Sequence, residues 1–168
     1  MLPNSFLPIT WIELVQLCLA VLCGIVIGFE REAHQKPAGI TTLVIVTLAS
    51  TLVMQVGFRL AELGGGITPA DPSRMATAVV TGIGFLGAGM IIRNAKVIHG
   101  VNTAATIWCM ACVGLAIGAG AYFAAGAVTL LARVALHFEG QRLTKLAEIR
   151  AARRRDAGLP PEPPDDGY

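Results

Sequence analysis

Residues 75–92 read Met75-Ala76-Thr77-Ala78-Val79-Val80-Thr81-Gly82-Ile83-Gly84-Phe85-Leu86-Gly87-Ala88-Gly89-Met90-Ile91-Ile92, eighteen residues without Asp, Glu, Lys or Arg. Inside this run, Gly82-Ile83-Gly84-Phe85-Leu86-Gly87 matches the glycine spacing of a dinucleotide-binding turn letter by letter. That turn needs a preceding strand, a helix N-terminus open to a pyrophosphate, and an acidic residue about 20 positions on to read the ribose. None of this context surrounds Gly82. A charge-free run rich in Gly and Ala reads instead as a membrane helix with few bulky side chains, so that neighbouring backbones can approach closely. The reading decides the fold class: all-α integral membrane, not α/β.

The same test works outward along the chain. An ionised group at mid-bilayer costs several kcal/mol, and four windows lack one: Leu14 to Phe29, Pro37 to Phe58, Met75 to Ile92, and Val97 to Ala132. As one helix the last would be roughly 54 Å long, against a hydrocarbon core of about 30 Å. It must be two helices, broken in Gly118-Ala119-Gly120-Ala121, with Tyr122 as an interfacial aromatic. A five-transmembrane-helix bundle follows, with spans at about 9–29, 38–58, 75–92, 101–118 and 121–138. No Lys or Arg precedes the first apolar run, which argues against a signal peptide. The composition agrees: 54% hydrophobic and 14% charged, where soluble domains carry about 25% charge. That excludes disorder and a secreted disulfide scaffold, and a net charge of +2 does not call for nucleic acid.

Orientation comes from the basic residues. With the N-terminus outside, Arg31, Lys36, Arg93, Lys96, Arg133, Arg142, Lys145, Arg150, Arg153, Arg154 and Arg155 face the cytoplasm, and only Arg59 and Arg74 face outward. Such asymmetry favours N-out, C-in in a bacterial inner membrane. Three regions are expected: a membrane domain over 1–138, a basic cytoplasmic helix over 139–156 that continues the last span or lies on anionic lipid, and a disordered Pro-rich acidic tail over 157–168.

Few motifs carry chemistry. Glu30 and His34 are four apart and share a helix face beside Glu32, a spacing open to a cation, and carboxylates with waters suit Mg²⁺; the alternative is a solvated hairpin whose acids neutralise its bases. Asp71-Pro72-Ser73-Arg74 has the pattern of a helix start. Asn102, Thr103 and Thr106 bring polar groups into the fourth span as interhelical glue or as a polar pathway. Cys109 and Cys112 have redox-pair spacing, but hydrocarbon disfavours the thiolate. Glycine spacing like that of Gly82, Gly84, Gly87 and Gly89 recurs at Gly24/Gly28 and Gly114/Gly118. No catalytic set is present, so an enzyme is not expected.

Gly28-Phe29-Glu30-Arg31-Glu32, Lys36-Pro37-Ala38-Gly39, the run from Arg74 to Gly89, and Gly100 followed by Thr103-Ala104-Ala105-Thr106-Ile107-Trp108 together resemble the membrane domain of the MgtC/SapB family over about residues 10–135. The resemblance implies a multi-pass protein of the bacterial inner membrane linked to magnesium limitation and, in pathogens, to intracellular survival. It also implies a modulator of other membrane machinery, the rotary ATP synthase or a transporter. The family's polar positions map to Glu30, Arg31, Lys36, Asp71, Arg74 and Thr103, with Asn102 beside them. Two departures stand out: Thr41-Thr42-Leu43 replaces the family's Arg-Thr-His, and Ala78 replaces a frequent Gln. The soluble regulatory domain that some members carry at the C-terminus is not expected here.

The expectation is thus a non-enzymatic membrane protein that needs no cofactor, with Mg²⁺ as ligand or regulated ion. Its partners are lipid, other membrane proteins or a second copy, and it works through close helix contacts at Gly82, Gly84, Gly87 and Gly89. The alternatives are a cation transporter, with Glu30, Glu32 and Asp71 as metal ligands and Asn102 on the ion's route, and a membrane thiol oxidoreductase using Cys109 and Cys112.

Overall fold

A computed structural model describes residues 10–63, 71–93 and 98–156. They form five helices: α1 (Trp11–Ala33), α2 (Ile40–Leu63), α3 (Pro72–Met90), α4 (Val101–Gly118) and α5 (Tyr122–Asp156). A two-stranded antiparallel hairpin, β1 (Ile92–Arg93) and β2 (Ile98–His99), joins α3 to α4. α1, α2 and α4 are each long and apolar enough to cross a membrane, over Trp11–Ala33, Ile40–Glu62 and Val101–Gly118.

Local sequence sets the helix ends. Thr10 and Glu13 form a capping box that opens α1. Asp71 caps α3 by accepting from the Ser73 N–H, with Pro72 in the first turn. α4 ends where the break was expected. Ala121 N–H donates to the Ala116 carbonyl and Gly120 N–H to that of Ile117, while Gly120 takes φ +79°, the left-handed turn that closes a helix. Gly100 starts α4 at φ +85°, where a side chain would strike the Met90 carbonyl.

α1, α2 and α4 build the core, around the fully buried Ala20, Ile27, Leu43, Met110 and Ile117. Their close approach comes from glycine: a Cβ on Gly24 would lie 2.7 Å from the Val44 Cα, and one on Gly28 would run into Ile40. On α4, Gly114 and Gly118 lie against the carbonyls of Thr47 and Thr51. α3 lies at the margin of this core, to which it contributes Ile83, and buries only Ile83 and Gly87.

Two expectations shift. The third helix starts three residues early, because Asp71 supplies its cap, and stops at Met90 to enter a hairpin that was not expected. The first helix runs on to Ala33, which places Glu30 and Arg31 within it. α5 runs unbroken from Tyr122 to Asp156 as one 35-residue helix. Asn94, Lys96 and the tail over 157–168 lie outside the described residues.

Candidate functional site

Two successive charged residues near the end of α1 are withdrawn from solvent, Glu30 at 5% exposure and Arg31 at 2%. Successive helical residues point about 100° apart, so each finds its own partners. Glu30 faces α5, where its Oε2 pairs with Arg133 Nη2 at 2.9 Å. Its Oε1 accepts no hydrogen bond, while the Nδ1 atoms of His137 and His34 stand 3.4 and 3.7 Å from it. His34 Nδ1 also lies 2.9 Å from the Glu30 carbonyl oxygen; a carbonyl only accepts, so this nitrogen carries the hydrogen.

Arg31 faces α4 and the connection before α2. Its Nη2 donates to the Pro37 carbonyl at 3.1 Å and to the Thr103 hydroxyl, and its buried Nε has no partner. The Thr103 hydroxyl thus gives the guanidinium an oxygen from α4. Next to it, Asn102 Nδ2 donates to the Glu139 carboxylate of α5, whose charge acts on Arg31. One end of the bundle is therefore tied across α1, α4 and α5 by charged side chains of α1 and α5 and the neutral polar groups of α4.

The opposite end carries its own network. Arg59 of α2 pairs with Glu13 of α1, Gln16 donates to the Tyr122 hydroxyl at 2.9 Å, and Gln55 donates to Gln16 Oε1 at 2.8 Å and to the Glu13 carbonyl at 3.1 Å. Between the two ends α2 buries Thr47, Ser50, Thr51 and Gln55 along one face.

The anticipated site residues distribute unevenly. Glu30, Arg31, Asn102 and Thr103 come together. Glu32 is exposed beside Gly39, and the backbone N–H of Lys36 closes α1 by donating to the Arg31 carbonyl at 3.0 Å. Asp71 and Arg74 sit at the other end of the bundle, at the start of α3. There the Ser73 hydroxyl and N–H, at 2.7 and 2.9 Å, hold the Asp71 carboxyl below the usual carboxylate range. Glu30 and Asp71 therefore cannot ligate the same ion, and among the described residues no three His, Cys, Asp or Glu side chains are placed to hold a metal. Cys109 and Cys112 are free thiols on α4.

Of the four glycines expected to pack, only Gly87 meets a neighbour in this chain, with Ala104 3.5 Å from where its Cβ would be; Gly82, Gly84 and Gly89 open onto space. Sequence reasoning missed Arg133 and His137 as partners of Glu30, along with Gln16, Gln55 and Arg59. The single available signal was a charged or amide residue inside an apolar run.

A model of the MgtC family matches residues 17–144. "Protein MgtC" of Salmonella paratyphi A is 36% identical over 145 residues, which is 84% of this chain and 60% of that protein. "Protein SapB" of Bacillus subtilis is 38% identical over 128 residues, 74% of this chain and 55% of its own length. "Protein MgtC" of Brucella abortus is 39% identical over 140 residues, 82% and 56% respectively. The chain thus spans a little over half the length of these relatives, and no solved structure matches it significantly. The matched stretch takes in both ends of the helical bundle, from Gln16's neighbour on α1 to beyond Glu139 on α5, and on that evidence the chain belongs to the MgtC family.

Proposed function

We propose that this protein is a five-span, non-enzymatic regulator in the bacterial inner membrane, N-terminus outside and C-terminus cytoplasmic, that supports adaptation to low Mg²⁺ through lateral contact between α3 and another membrane protein. The observation that carries this reading is the division of labour among the glycines. Those of α1 and α4 are used up inside the chain, whereas Gly82, Gly84 and Gly89 offer bare backbone outward, with Phe85 81% exposed between them. In lipid, close van der Waals contact over small residues is a principal force of helix association.

The resemblance to proteins named MgtC supplies the magnesium link, and the excess of basic residues on one side supplies the orientation. The ATP synthase or a transporter is the class of partner that resemblance suggests, and a second copy is the other. The test replaces Gly84 or Gly89 with Leu and follows in-membrane crosslinking together with growth in low Mg²⁺. Loss of both supports the reading; wild-type values for both remove it.

A second reading, cation transport, draws on the buried polar face of Thr47, Ser50, Thr51 and Gln55. Mg²⁺ flux into liposomes holding the pure protein would favour it, and no flux under a maintained gradient would exclude it.

A further inference from the structure

Glu30 presents an unusual arrangement: a carboxylate almost wholly buried, one oxygen paired with Arg133 and the other without a hydrogen bond, faced by two imidazole nitrogens. The two imidazoles are not equivalent. His34 has already committed its Nδ1 hydrogen to the Glu30 carbonyl one turn back on α1. His137 has not. Its Nε2 lies 3.0 Å from Gln141 Nε2, and an amide nitrogen can only donate, so that ring nitrogen accepts and the hydrogen of the neutral ring sits on Nδ1, the nitrogen 3.4 Å from Glu30 Oε1. His137 is half-exposed, its side chain 51% accessible, one residue from the expected end of the fifth span at 138.

We propose that His137 is a proton-binding latch that holds α5 to α1 through Glu30. With one proton, on Nδ1, the ring makes a long contact of 3.4 Å with Glu30 Oε1. When a second proton binds Nε2, Gln141 turns its amide oxygen to accept it, and the imidazolium becomes a charge-assisted donor to the carboxylate oxygen that lacks one. Loss of that proton leaves Oε1 without a strong donor again.

The surroundings allow one such charge and discourage a second. α1 contributes Glu30, Arg31 and His34, α5 contributes Arg133, His137 and Glu139, and α4 carries no charged residue at all. Two carboxylates already face two guanidiniums in this cluster. A single imidazolium finds the open oxygen of Glu30, whereas a second would meet only like charge. The charged ring is the one that can give the unbonded Glu30 Oε1 a charge-assisted donor. Protonation of the ring therefore closes the latch, and its loss releases it. What moves is α5 at Arg133 to Glu139, the base from which the helix continues to Asp156. The latch does not depend on what α3 touches.

The experiment measures the α1–α5 distance in the full chain in lipid nanodiscs. Spin labels are placed at Ala33 and Ala135, both exposed, with the four native cysteines replaced by alanine. Distances are compared at about pH 5.5 and about pH 8, near the limits of imidazole titration. The expected result is a narrow short distance in acid that broadens and lengthens in base. H137Q should give the broad distribution at both, and H34Q should keep the response. An identical distribution at both pH values in the parent, or a response that survives in H137Q, overturns the latch. His137 is exposed, so its variant leaves the fold intact, and a response preserved in H34Q separates this site from general titration of the surface.

Discussion

Gly118 of α4 lies directly against the backbone of Thr51 on α2: a Cβ at Gly118 would stand 2.6 Å from the Thr51 carbonyl oxygen. The contact is backbone to backbone, so neither partner can turn away from an added methyl. Gly118→Ala is expected to destabilise the bundle by about 1–3 kcal/mol, the usual cost of overpacking, and Gly24→Ala against Val44 should behave alike. Gly82→Ala, where the space is open, should be neutral or slightly stabilising, since Ala is the better helix former. Denaturation followed by circular dichroism in micelles checks all three.

At Gly120 the constraint is conformational. Nothing stands within 4 Å of its missing Cβ, yet φ is +79°. Gly120→Ala should cost about 1–2 kcal/mol, the penalty of a left-handed residue with a side chain, and Gly120→Asn should cost less. Thermal unfolding of the two variants side by side provides the check.

Thr103 gives Arg31 its partner on α4. Thr103→Val keeps the shape and removes the acceptor, leaving a buried guanidinium N–H unmatched, for an expected loss of about 1–3 kcal/mol. Thr77→Val, on the exposed side of α3, should change stability little, because its hydroxyl bonds only its own helix at Ser73. The same denaturation measurement separates the two.

The orientation proposed above makes a positional prediction. A reporter enzyme active only outside the cytoplasm should work when fused after position 66 or 120 and fail after position 36 or 156. Activity at 156 would mean that the span count or the orientation is wrong.

Much of the bundle was readable in advance because bilayers impose length and polarity on helices. All five helices and the break before Tyr122 follow from charge-free runs, and the Asp71-Pro72 start of α3 from capping chemistry. The hairpin was not readable, since strands of two residues leave no periodicity to detect. Nor was the continuity of α5 settled: residues 139–156 pattern as a helix either way. For the polar cluster, Glu30 and His34 were paired by spacing alone, because four residues along a helix is a local relationship. Arg133 and His137 lie about a hundred residues further on, and only the folding of α5 against α1 brings them there. Likewise the glycine pattern announced close contact but could not say which glycines spend it within the chain.

α5 is a single rod of 35 residues from Tyr122 to Asp156, about 52 Å at 1.5 Å per residue. A rod of that length magnifies: tilting it by about 10° at Tyr122 swings the far end by about 9 Å. Small adjustments among the packed helices are thus delivered to the far tip as displacements as large as the spacing between two packed helices, without any hinge along the way.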